Sequence, residues 1–114
     1  MPAAPFSLAV TTVCPGWAVI AVAGELDMDT SPHFAQAVEA LPAEGLMSVD
    51  LSAVTFMDSE GLNTLLRIRR RLCGEGVALE LCGVSDRVRR VLELTGTMSL
   101  FTLKAPPCLP QTAR

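Results

Sequence analysis

Between Leu46 and Cys73 the hydrophobic period of the chain changes once, and that change limits the folds open to it. Leu46 to Asp50 has the short apolar character of a buried strand, whereas Leu62, Leu65, Leu66, Leu72 and Cys73 recur at helical spacing. A strand that runs out into a loop and then into an amphipathic helix is the working unit of an α/β domain. The helix is expected to open at Asp58-Ser59, because both side chains accept hydrogen bonds from the free N–H groups of a first helical turn. A phosphate on Ser59 would meet those N–H donors and roughly half a positive elementary charge, partly offsetting its cost beside Asp58 and Glu60. Gly61 is expected to leave the surface open there. From these residues alone two meanings stand: Ser59 is a helix cap and nothing more, or its hydroxyl is the functional centre.

The rest of the chain supplies more elements of the same kind. Phe6 to Gly24 is uncharged, mainly apolar and nearly long enough to span a membrane, but Pro15-Gly16 breaks it. Phe6 to Val13 and Trp17 to Ala23 are expected as two strands, followed by an acidic loop from Gly24 to Asp29. No basic segment precedes the run, so neither a signal peptide nor membrane insertion is expected. Ser31 is expected to cap a helix with Pro32 first and Phe34, Ala37, Val38 and Leu41 inward, ended by Pro42. A third strand covers Leu46 to Leu51, and Gly74 and Gly76 stop the second helix. A fourth strand covers Val77 to Leu81. Ser85-Asp86 then caps a third helix with Val88, Val91, Leu92 and Thr95 inward, closed by Gly96. Leu100 to Leu103 is expected as a final strand, and the prolines from Pro106 onward cannot continue a helix.

Charge divides the chain in two. Residues 1–66 hold eight acids and no lysine or arginine, while residues 67–114 hold nine bases against four acids, so the halves sum to −8 and +5. Arg67, Arg69, Arg70 and Arg71 could suggest nucleic acid. The overall charge of −3, the absence of tyrosine and the single tryptophan argue instead for a solvated helix face. The four cysteines form no C-x-x-C pair and His33 is the only histidine, which disfavours a metal site. Cys73 and Cys82 are expected as small buried hydrophobes in a reducing cytosol. Catalysis by Ser59 is disfavoured too: Met57-Asp58-Ser59-Glu60-Gly61 lacks the first glycine of a G-x-S-x-G elbow, and His33 lies on another helix.

Three stretches together carry a family likeness. Gly24-Glu25-Leu26-Asp27 followed by Thr30, then Val49-Asp50-Leu51-Ser52, then Asp58-Ser59-Glu60-Gly61-Leu62, resemble the STAS domain of bacterial anti-sigma factor antagonists over about residues 6–103. The resemblance implies a mixed sheet of about five strands with three or more helices packed on it, flanked by tails at residues 1–5 and 104–114. It places the two acidic loops at one end of the sheet. It implies that the serine matching Ser59 is phosphorylated by a partner that is both serine kinase and anti-sigma factor, that the unphosphorylated form binds this partner, and that the phosphorylated form lets go. The implied docking residues are Glu25, Asp27, Asp29, Thr30, Asp58, Ser59, Glu60, Gly61 and Asn63, facing a basic patch on the kinase, with a serine phosphatase to reset them. The implied protein is cytoplasmic, is not an enzyme, and uses no cofactor, metal, nucleic acid or membrane insertion. The same fold also serves as a constitutive module in lipid-transporter and stress-signalling complexes, which is the alternative reading. Two departures stand out: Glu60 replaces a small Ser or Thr, and the proline-rich tail stands where a fourth helix commonly packs.

Overall fold

The computed structural model describes residues 5–42 and 44–105. Strands β1 (Ser7–Cys14) and β2 (Trp17–Leu26) form an antiparallel hairpin. Pro15-Gly16 makes its turn, with Gly16 at a φ of +88° that side chains rarely adopt. There follow α1 (Ser31–Glu39), β3 (Leu46–Met57), α2 (Ser59–Gly74), β4 (Ala78–Val84), α3 (Asp86–Thr95), a 3-10 turn at Met98–Leu100 and a short β5 (Thr102–Leu103). The strands lie in the order β1-β2-β3-β4-β5, with β1 antiparallel and each later pair parallel. Each parallel pair is joined through a helix, and right-handed crossovers running in one direction put all three helices on the same face. This is the mixed five-stranded sheet with three helices that the resemblance implies.

Alternation along the strands explains why one face carries the helices. Ile20, Val22 and Leu26 of β2, Met47, Val49 and Leu51 of β3, and Leu81 of β4 are buried with Phe34 and Val38 of α1, Leu65, Ile68 and Leu72 of α2, and Val88 and Leu92 of α3. The opposite face is stitched by polar groups across three strands. Trp17 Nε1 donates to Ser48 Oγ at 3.0 Å, and the fully buried Ser48 hydroxyl donates to Glu80 Oε2 at 2.7 Å. Lys104 Nζ stands 3.7 Å from Glu80 Oε1. A buried hydroxyl that both accepts and donates avoids the desolvation cost of an unpaired polar group.

Several boundaries differ from the sequence expectation. β2 continues to Leu26 and β3 to Met57, because Ala23, Gly24, Glu25 and Leu26 pair with Ala53, Val54, Phe56 and Met57. The segment expected as a loop before Asp58 is therefore strand. Residue α1 begins on is also different: Thr30 is the N-cap, without a side-chain cap bond, and Ser31 lies inside the helix, buried, with its hydroxyl unpartnered. Cys73 is exposed on α2, since Ile68 and Leu72 take the inward stripe, so it is not the buried hydrophobe expected. Cys82 is buried in β4 as expected, but it is disulfide-bonded. The final strand is shorter than expected because Met98–Leu100 forms the 3-10 turn. Cys108 and the prolines beyond Ala105 lie outside the described residues.

Candidate docking site around Ser59

The ends of β2 and β3 bring the two acidic segments together. Leu26 pairs with Met57, so the turn Asp27–Thr30 and the start of α2 leave the sheet side by side. Asp58 ties them. Its backbone is extended (φ −100°, ψ −174°), and its Oδ1 accepts from Gly61 N at 2.8 Å, which is the N-cap bond of α2. Its other oxygen, Oδ2, accepts from Met28 N in the neighbouring turn at 3.2 Å. The Asp58 amide in turn donates to Leu26 O at 3.3 Å.

Gly61 completes the tie by absence of a side chain. A Cβ there would lie 2.3 Å from the Leu26 carbonyl oxygen, a backbone atom that cannot swing aside. Gly61 is therefore a buried close-approach residue, in place of the open surface expected of it. The turn itself is held by Asp27, whose Oδ1 accepts from Asp29 N at 3.0 Å and Thr30 N at 3.1 Å. The Thr30 hydroxyl accepts from Asp27 N at 2.9 Å and donates to Glu25 O at 2.8 Å. These donors, the Thr30 amide foremost, hold the Asp27 carboxyl below its ordinary value of 3.8, against a smaller opposing effect of desolvation.

Ser59 occupies the first position of α2, one residue past the cap, and it is exposed. Among the described residues no hydrogen bond engages its hydroxyl, because the capping bond belongs to Asp58. Glu60, in the first turn, and Asn63 are also exposed. The structure thus brings Asp27, Asp29, Thr30, Asp58, Ser59, Glu60 and Gly61 into one region, with Glu25 at the end of β2 behind the turn. Neither ion pair among the described residues, Arg71 with Glu75 or Lys104 with Glu80, neutralises any of its carboxylates. The region therefore carries a net negative charge.

Two apolar residues of the same region escaped sequence reasoning. Met28, between Asp27 and Asp29, is 69% exposed, and Phe56 is 36% exposed with the Arg87 guanidinium 5.7 Å from its ring centroid. The signal for Met28 was present, since a large apolar residue inside an acidic turn has no core to enter. His33 lies elsewhere on the first turn of α1, exposed, its ring 6.3 Å from that of Phe6. Around Ser59 the surface is acidic, with a hydroxyl that no hydrogen bond engages among the described residues. No helix among the described residues is long and apolar enough to cross a membrane.

Comparison with known proteins agrees with this geometry. A family model described as "Mlab, STAS domain" matches residues 15–102. The anti-sigma-B factor antagonist of Listeria monocytogenes is 37% identical over 87 residues, which are 75% of this chain and 76% of that protein. The crystal structure of an anti-sigma factor antagonist from Mycobacterium paratuberculosis aligns with a TM-score of 0.77 at 31% identity, over 91% of this chain and 88% of that one. Unphosphorylated SpoIIAA, an anti-sigma factor antagonist 22% identical to this chain, shares the fold with a TM-score of 0.72 over 87% and 89% of the two chains. By sequence along most of its length, and by a sheet whose β2 and β3 ends carry the acidic turn and the serine, the chain belongs to the STAS-domain family.

Proposed function

We propose that the protein is an anti-sigma factor antagonist whose docking surface is switched by phosphorylation of Ser59. In this reading the unmodified surface binds a basic patch on an anti-sigma factor that is also a serine kinase. The kinase transfers the γ-phosphoryl group of ATP to Ser59 Oγ, with loss of the hydroxyl proton, and the product dissociates. A serine phosphatase hydrolyses the ester and restores the docking form.

One observation carries the reading: Asp58, and not Ser59, caps α2, which leaves an exposed and unengaged hydroxyl at the helix start. The names of the relatives support an anti-sigma factor as the partner. A phosphate would add about 1.5 to 2 negative charges. Two of the nearby N–H groups, Gly61 N and Met28 N, are already taken by Asp58, so the remaining first-turn amides offset that charge only in part. The added charge therefore stays at the surface beside Asp58 and Glu60, where a partner fitted to a neutral serine meets an unpaired charge and its desolvation cost. Release follows without refolding. Glu60 places a further negative charge beside the acceptor hydroxyl, so phosphoryl transfer is expected to be slower here than in a Glu60→Ser variant.

The test is pull-down and titration with the anti-sigma factor from the same cells. Ser59→Ala should bind like the unmodified protein and Ser59→Glu at least about tenfold more weakly. Equal binding by both variants would refute the switch. Capture of an ATPase together with membrane proteins, and of no kinase, would favour the constitutive transporter module.

A further inference from the structure

The outer edge of the sheet is a second surface that the docking site does not use. Strand β1 pairs only with β2 among the described residues, so along Ser7–Cys14 one row of backbone N–H and C=O groups has no strand beside it. Edge strands are ordinarily guarded by a charge, a proline or a bulge that turns them away. Here Ser7-Leu8-Ala9-Val10-Thr11-Thr12-Val13-Cys14 has no charge and no proline, six of its eight residues are exposed, and the register irregularity is confined to its end, between Thr12 and Cys14. Val10 is 45% exposed although its pairing partner, Ile20, is wholly buried. Residues directly opposite each other share a face, so Val10 continues the apolar helix-bearing face outward past the last strand.

We propose that β1 is the self-association edge of the protein, pairing antiparallel with β1 of a second copy about a twofold axis at Val10. The occupant follows from symmetry and charge. Such an axis, perpendicular to the sheet, runs the two strands antiparallel, keeps both helical layers on one side and pairs residues of like parity. Pro5 and Pro15 bound the stretch able to donate from every residue, and Val10 is its midpoint. With Val10 on the axis, its side chain meets Val10 of the second copy, Leu8 meets Thr12, and Ala9 meets Thr11. Self-pairing of an uncharged strand sets no like charges opposite each other, although the chain as a whole carries −3. The result is a continuous ten-stranded sheet. Because the axis reverses strand direction, the two Ser59 surfaces point to opposite ends and both stay open, so the dimer is a bivalent ligand for its partner. Two paired strands bury well under the roughly 1,600 Å² of a standard interface, so the dimer forms with rising concentration and is not obligate.

Sedimentation velocity of the full chain from low micromolar to millimolar concentration tests the assignment. A monomer–dimer equilibrium is expected, and Val10→Lys should move its midpoint to at least about tenfold higher concentration with the circular dichroism spectrum unchanged. A second arm survives misfolding of that variant: Val10→Cys, with Cys14→Ser and Cys73→Ser, should cross-link to a covalent dimer on mild oxidation, since facing Cβ atoms lie about 4.5–5.5 Å apart. A chain that stays monomeric to millimolar concentration, whatever else it binds, overturns the proposal. So does a dimer that neither Val10→Lys weakens nor Val10→Cys cross-links.

Discussion

Helices α2 and α3 both begin where a parallel strand ends, each with a serine and an aspartate in succession, but the order of the two residues is reversed. At α3 the sequence is Ser85-Asp86, and the serine is the cap: its Oγ accepts from Val88 N at 3.3 Å and donates to Val54 O at 2.7 Å. Asp86 follows, exposed, in the first turn. At α2 the sequence is Asp58-Ser59, and the aspartate is the cap, with both carboxylate oxygens engaged. Here it is the serine that follows, exposed. In each case the last extended residue takes the cap, because only there does the side chain fold back onto the free amides. Residue order thus decides which hydroxyl is consumed by capping and which is left exposed. Ser85 is structural, and Ser59 is spare.

This contrast can be broken by substitution, and the expected losses of stability descend as follows. Gly61→Ala should cost the most, about 2–3 kcal/mol by chemical denaturation, because its Cβ drives against the Leu26 carbonyl and parts the two segments. Asp58→Ala and Ser85→Ala should each cost about 1–2 kcal/mol, since each removes a cap together with a second hydrogen bond. Only the first of these should also raise amide exchange at Met28. Asp27 comes next. Its folded carboxyl titrates below 3.8, so its contribution is complete above that value and is lost as pH falls through the lower folded value. Asp27→Asn should accordingly abolish the acid-dependent loosening of Asp29 and Thr30 amides seen by hydrogen exchange. Ser59→Ala should cost the least, under about 0.5 kcal/mol. A cost for Ser59→Ala equal to that for Ser85→Ala would erase the distinction between the two serines.

Much of this was legible in the sequence, and the misreadings share a physical cause. Strong periodic signals, such as Leu62, Leu65 and Leu72 in α2 or Val88 and Leu92 in α3, placed every helix and the α/β class. The end of β3 was hidden because register shifts beyond Val49 break the alternation that marks a strand, leaving Ser52, Ala53, Thr55 and Phe56 exposed amid buried Val54 and Met57. Thr30 displaced Ser31 as the N-cap of α1 because the Asp27 turn folds the chain tightly just before it, an arrangement made by a carboxylate and not by hydrophobic pattern. The residues around Ser59 were singled out by motif, but the structural parts that Asp58 and Gly61 play were not. Whether Asp58 or Ser59 capped α2 depended on the backbone direction of one residue, and the function of Gly61 depended on how closely β2 approaches.

The most direct test is site-resolved phosphate mapping by mass spectrometry on the protein isolated from its own cells, in growth and under stress, with Ser85 as the internal control. The account predicts phosphate on Ser59 with an occupancy that changes between the two conditions, and none on Ser85. Ser59 unphosphorylated in both conditions, or phosphate on Ser85 in its place, would contradict it.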